Sequence, residues 1–316
     1  MPTYQTYDAK GLREDLSDVI YSISPTDVPF MSSIGKTKAT AVTHEWQTDS
    51  LSAAVLTNFT VEGATATSAT MSPTTRVGNQ TQIAQKTIQI SGTLQAVDKA
   101  GRKSEKAYQL AKASAEIKRD METSLLSNQV ASAGNSSTAR KLGGLQAWLN
   151  SNYSGGTSGV AGNLGTTART DGTNRTFTEA LLQAVVKSVY ASGGNPKVLM
   201  VSPAHKQTVS AFTGIAAQRF MAPANTPTTI VSAADVYLSD FGSISIVPNR
   251  FMTSTNNCDE TAFVLDPDMA SIAYLRPFQT NELAVTGDNE STQLLAEYTL
   301  EVKNQAAHGI IADLTP

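Results

Sequence analysis

"TTRVGNQTQIAQKTIQIS", running from Thr74 to Ser91, decides how the rest of the chain is read. Its Thr, Val and Ile favour a strand. Yet Asn79, Gln80, Gln82, Gln85 and Lys86 fall on alternating sides, because successive residues of a strand face opposite ways. Neither face has the apolar alternation of an ordinary half-buried sheet. Such a strand is expected to cover a surface outside its own domain.

Upstream, "ATAVTHEWQTDSL" from Ala39 is also strand-like, and "TNFTVEGATATSATMSP" between the two is rich in Thr, Ala and Gly without helical periodicity. Together these segments predict a long, irregular β-hairpin over residues 39–92, with Ile88 and Ile90 marking where it returns to a core. A two-stranded hairpin is marginally stable alone, so the polar outer part needs a neighbouring surface.

Ahead of the hairpin, Leu12, Leu16, Val19, Ile20 and Ile23 recur at helical spacing over residues 8–23. Pro25 and Pro29 end that pattern, and Phe30, Met31 and Ile34 form a small apolar anchor. Beyond the hairpin, "SEKAYQLAKASAEIKRDMETSLLSNQ" is the clearest helix, with Ser104 as N-cap or an earlier start at Asp98. Leu110, Ala113, Ile117, Met121 and Leu125 form its apolar stripe, and Lys112, Glu116, Lys118, Arg119 and Glu122 largely take the other faces. At 1.5 Å per residue, about 25 residues extend roughly 37 Å.

The second half reads as a compact α+β unit. Leu142, Leu145 and Trp148 make an apolar cluster, and the Gly, Ser and Thr-rich residues 151–175 read as a flexible or variable loop. Thr176 and Glu179 match a capping box before Leu181, Leu182, Val185, Val186 and Val189. "KVLMVS" is a buried strand, and Ser202 and Pro203 open a short helix reaching about Phe212. Strand pairs follow around 235–252 and 260–278, split in the second case by Asp266 and Pro267. A long final strand contains Leu295, Tyr298, Leu300 and Val302.

Composition narrows the function. The 316 residues are 40% hydrophobic, enough apolar material for one or two cores. Charged residues are 16% and the formal net charge is −3, so no overall positive field draws nucleic-acid phosphates. The single cysteine, Cys258, makes no intramolecular disulfide, which fits synthesis in a cytoplasm. The first residues lack a signal-peptide pattern, and no run approaches the ~20 apolar residues of a membrane span.

Catalytic signals are weak. Ser33 and Lys36 match S-x-x-K, but no S-D-N or K-T-G partner follows; a turn serine beside a solvated lysine is the simpler reading. His44, His205 and His308 are scattered, with no metal-ligand spacing. No cofactor or metal is expected.

The order of arm, extended polar hairpin, long helix, compact α+β unit and terminal strand resembles the major capsid proteins of tailed bacteriophages with the Hong Kong 97-type fold. The blocks that carry the likeness are "SPTDVPFMSSIGK", "HEWQTDSL", "GNQTQIAQKTIQISGT", "AGRKSEKAYQLAKASAEIKRDMETSLL" and "EYTLEVKNQAAHGIIADL". Each is weak singly; together they are specific and span nearly the whole chain. The resemblance implies an N-terminal arm over 1–38, an extended loop over 39–92 lying on the adjacent subunit, and a peripheral domain with its spine helix over 93–141. It further implies an axial domain over 142–250 and C-terminal strands over 251–316 that return to the peripheral domain.

It also implies a structural shell protein of the virion, not an enzyme, made in the bacterial host and self-assembling into pentamers and hexamers. The subunit-interface candidates are Leu12, Leu16, Phe30, Trp46, Arg76, Gln82 and Lys86. Double-stranded DNA would be contacted without sequence reading, through Lys10, Arg13, Lys36 and Lys38. A portal is the expected further partner, and scaffolding or decoration proteins, where they exist, would be separate chains. Alternatives are an encapsulin-like compartment subunit, a serine hydrolase using Ser33 and Lys36, and a secreted surface-layer or adhesin protein suggested by the Thr-rich hairpin.

Overall fold

The computed structural model describes residues 27–66, 68, 71–97, 104–212 and 235–316. The arm helix expected over 8–23, with Lys10, Leu12, Arg13 and Leu16, lies outside them, as does Asp98.

The chain enters through α1 (Pro29–Ser33), with proline at the first turn where its missing N–H has no helical partner to lose. Phe30, Met31 and Ile34 are buried, as an apolar anchor requires. β1 (Gly35–Lys38) then lies parallel to β10 (Ala270–Glu282) at the edge of a four-stranded sheet. Its strand order is β1-β10-β11-β4, with β11 spanning Asn289–Val302 and β4 Gln82–Ser91.

The stretch from Thr74 to Ser91 is therefore two strands in two sheets. β3 (Thr75–Gln80) pairs antiparallel with β2 (Thr43–Thr48), whereas β4 pairs with β11. The break is at Thr81, which is buried. Its N–H donates to Val42 O at 2.8 Å and its hydroxyl to Glu297 Oε1 at 2.9 Å. Both polar groups are drawn off the strand axis, so the ladder changes partner there.

A short helix α2 (Gly92–Ala96) follows β4, and α3 (Glu105–Leu126) follows that. Its 22 residues make a rod of about 33 Å. Ser104 caps it by accepting from the Ala107 N–H, and Ala113, Ile117, Met121 and Leu125 are buried along one stripe. Leu110 packs at the margin of the same core. On β4, Gln82, Ala84, Lys86, Ile88 and Ile90 share the more covered face, and the alternate residues are exposed. Part of the surface this strand covers thus belongs to its own chain.

α4 (Leu145–Trp148) is wholly buried. β5 (Tyr153–Ser154) begins a six-stranded sheet of order β5-β12-β9-β6-β8-β7. Its other members are β6 (Val198–Val201), β7 (Val236–Ser239), β8 (Gly242–Pro248), β9 (Ala262–Leu265) and β12 (Gly309–Ile311). Along one face, α5 (Glu179–Ala191) joins a core of Leu182, Val186, Val201, Ile244 and Ile311. α6 (Pro203–Ser210), capped by Ser202, adds Val209. The other face of β6, β9 and β12 contributes Met200, Phe263 and Ile310 to the core around α3 and Trp148.

Three expectations change. Residues 251–316 do not return to one place: β10 and β11 join the four-stranded sheet, whereas β9 and β12 complete the six-stranded one. All four residues of β9 are buried, and such a strand needs cover on both faces. Residues 151–175 are folded tightly rather than looped freely. Buried Arg169 donates to Asp313 Oδ1 at 2.8 Å and to Gln146 Oε1 at 3.2 Å, and pairs with Asp171 at 2.8 Å. Gly165 at φ 75° lies so close to Trp148 that a Cβ would meet Nε1 at 2.8 Å, which only glycine avoids. Finally, Thr178 rather than Thr176 stands at the N-cap of α5, without a side-chain cap bond.

Candidate assembly surface

The outer hairpin has two unlike parts. At its root, β2 and β3 pair in register from Thr43↔Gln80 to Thr48↔Thr75. Buried Asn79 pins this root with every polar group used. Its amide donates to Gly143 O (3.1 Å) and Leu300 O (2.8 Å), and its Oδ1 accepts from the Gly143 and Gln80 N–H groups at 2.7 and 2.9 Å. A satisfied buried amide of this kind fixes position, since losing either partner strands a buried donor or acceptor. Gly78 beside it admits no Cβ, because one would lie 2.7 Å from Glu45 Cγ. Trp46 stacks on Trp148 with centroids 5.2 Å apart, and His44 approaches Glu301 at 3.4 Å.

Past Thr48 the strand pairing stops, and the described residues between there and Thr75 form no strand. Leu51 is 100% exposed, Leu56 96%, Phe59 81% and Met71 91%. Large apolar side chains bared along one segment above a rigid root make the tip the candidate assembly surface.

The predicted interface residues divide accordingly. Phe30 is fully buried beneath the subunit's own sheet. Trp46 is half-buried at the hairpin root on Trp148. Gln82 donates weakly to Ser124 at 3.4 Å and accepts from Gln129 at 2.9 Å; Lys86 pairs with Glu116 at 2.9 Å and Asp120 at 3.5 Å. The hydrogen bond to Glu116 raises the Lys86 pKa against the opposing effect of burial. Both residues therefore tie β4 to α3. Arg76, with its side chain 71% exposed and only a 3.5 Å contact to Glu45, is the one of these five described candidates that points freely outward. Lys36 and Lys38 are exposed on the edge strand β1.

Glu122 escaped the sequence reading. Placed among the polar faces of its helix, it is instead fully buried. Oε1 accepts from Phe30 N–H and Asn249 Nδ2, each at 2.7 Å, and Oε2 from Met31 N–H at 2.9 Å. Burial pushes its pKa upward; the amides of Met31 and Phe30 and the Asn249 side chain oppose that. One carboxylate thus joins α1, α3 and the end of β8. A Glu in the charged register of an amphipathic helix carries no local mark of this role.

The remaining candidates show no reactive arrangement. Ser33 Oγ donates to Phe30 O at 2.9 Å within its own turn. Cys258 is buried, its thiol donating to Leu126 O and accepting from Gln146 at 2.9 Å each, and burial pushes its pKa upward. Among the described residues no three His, Cys, Asp or Glu converge as a metal site, and no helix is long and apolar enough to cross a membrane.

Known proteins with the same organisation include phage capsid proteins and an encapsulin. A family model described as the SU10 major capsid protein matches residues 1–315. The major capsid protein of Escherichia phage Phieco32 is 28% identical, across 98% of this chain and 96% of that one. A solved capsid asymmetric unit of cyanophage A-1(L) superposes with a TM-score of 0.70 at 11% identity, covering 99% of each chain. The holo-SrpI encapsulin complex of Synechococcus elongatus gives 0.56 at 11% identity, over 96% and 92%. At such identities the structural likeness speaks for the fold alone.

Proposed function

The chain belongs to the SU10 major capsid protein family, and from that membership we propose how this major capsid protein of a tailed phage builds its shell. Copies clasp one another through the outer hairpin, which leaves its own subunit at Asn79 and lays Leu51, Leu56, Phe59 and Met71 on a neighbour. The supporting observation is the contrast between a root fixed by buried hydrogen bonds and a tip whose apolar groups are bare. Repeated over a closed shell, many modest contacts of this type suffice. Arg76 accompanies the tip. Residues 1–38 serve as the arm, whose last strand β1 docks on the peripheral domain formed by β10, β11, β4 and α3, and the six-stranded sheet with α5 and α6 forms the axial domain.

The interior holds double-stranded DNA without sequence reading, met by Lys10, Arg13, Lys36 and Lys38. A portal and any scaffolding or decoration proteins are further partners. As a member of a capsid protein family the protein is not an enzyme, and the Ser33 hydroxyl of the hydrolase alternative donates to Phe30 O within its own turn. Encapsulins share the fold, so the content of the particle, nucleic acid or protein cargo, separates the two shells.

Electron microscopy of the purified chain tests the proposal: uniform polyhedral particles are expected. Deletion of residues 55–73 is expected to leave a folded, soluble subunit and no particles. Normal particles from that deletion would overturn the clasping role.

A further inference from the structure

The six-stranded sheet is covered unevenly. β6, β9 and β12 give side chains to cores on both faces, but at the β7 end one face lies open. There Tyr237, Ile244 and Ile246 point into the α5 side and are buried. Their alternates Val236 and Leu238 are 53% and 70% exposed. Across the ladder these face Ser245 and Ser243, both exposed.

β7 is also the last strand of its sheet. The Ile246 N–H donates to Asp235 O at 2.8 Å, which makes 235/246 a hydrogen-bonded pair. In an antiparallel ladder such pairs alternate, so Tyr237 bonds β8 while Val236 and Leu238 turn their N–H and C=O groups outward. No described residue meets those groups. The edge carries no lysine, proline or bulge of the kind that blunts exposed edges in proteins that stay monomeric. Free backbone groups and bare apolar side chains coincide on the same two residues.

We infer that the β7 edge is a strand-addition site for a second copy of this chain, whose extended backbone pairs with Val236 and Leu238 and whose side chains cover the open face. The inference rests on the shell reading: a capsid subunit's nearest neighbour is its own copy. β7 itself carries no charge, and the exposed Asp235 and Asp240 stand at its two ends rather than on the paired residues. Backbone pairing supplies the affinity in such contacts and the alternate side chains the fit.

Leu238→Pro tests it sharply, because the ring replaces an N–H that no described residue accepts from and removes a donor only from the edge. The variant is expected to unfold at the same temperature as the unmodified subunit and to lose particle formation. Val236→Lys with Leu238→Lys is expected to do the same by charging the edge. Hydrogen exchange on the unmodified chain needs no variant: the peptide over 236–239 should gain two protected amides in particles relative to dissociated subunits. Undiminished particles from both variants, or exchange unchanged by assembly, overturns the edge site while the shell reading stands. If the unmodified chain forms no particles at all, the shell reading falls and this inference with it.

Discussion

Single side chains decide how the arm and the sheets are held. Glu122 accepts three N–H groups in a buried site, so Glu122→Ala strands three donors and is expected to cost on the order of 3 kcal/mol of subunit stability. Urea unfolding of the dissociated subunit measures it; a cost below ~0.5 kcal/mol, the ordinary surface range, contradicts the assignment. His308 is equally confined. Its Nδ1 accepts from the Asp266 N–H and its Nε2–H donates to Met269 O, each at 3.3 Å, a tautomer fixed by those partners. Burial lowers its pKa to about 4, against the Met269 bond and the Asp266 charge. The unfolded imidazole titrates near 6.5, so between these values the unfolded state binds more protons. Stability from this residue is complete above pH 6.5 and falls as pH drops toward 4, by roughly 3 kcal/mol in all. His308→Gln preserves one acceptor and one donor without titrating. The difference between the two proteins at pH 7 and pH 4.5 is expected to narrow or reverse; an unchanged difference rejects a buried neutral His308.

At the scale of elements, α3 and the hairpin behave oppositely. The helix is self-announcing: a cap, a stripe of four buried apolar residues and three turns of charged residues between them. Removing its cap by Ser104→Ala is expected to cost about 1 kcal/mol, read as a lower unfolding midpoint with unchanged denaturant slope. The hairpin tip carries little of the subunit's own stability, since its large apolar groups are in water before assembly. β4 lies between these cases. Its even-numbered residues from Gln82 to Ile90 lie on the α3 side and the rest remain open, so a strand that looks two-sided and polar is in fact half covered. Lys86 and Gln82 serve that internal contact.

For the whole molecule, the proposed hairpin and β7 contacts place part of its stability between subunits. Anything that binds the folded chain and not the unfolded one raises its melting temperature, and here the binding partner is another copy. Calorimetry of intact particles is expected to show a higher transition than dissociated subunits at the same protein mass. Equal transitions would mean that the bare hairpin and β7 edge gain nothing from their neighbours.

The sequence by itself determined the elements whose signal is local: α3 from its periodicity and Ser104, β6 from "VLM", α6 from Ser202 and Pro203, and the anchor at Phe30, Met31 and Ile34. It also showed strand-forming residues without an ordinary apolar face over 74–91, but not that the second half of that stretch, β4, lies on α3 and β11 of the same chain. Only the tertiary structure decided that the strand breaks at Thr81, that Glu122 and Arg169 are buried, and that β9 and β12 leave their neighbours in sequence for the six-stranded sheet. The physical reason is range. Periodicity and capping act within a few residues, whereas a buried carboxylate or guanidinium is tolerable only where partners meet it. Here those partners are Phe30 and Asn249 for Glu122, and Asp313 for Arg169, all brought in from far along the chain.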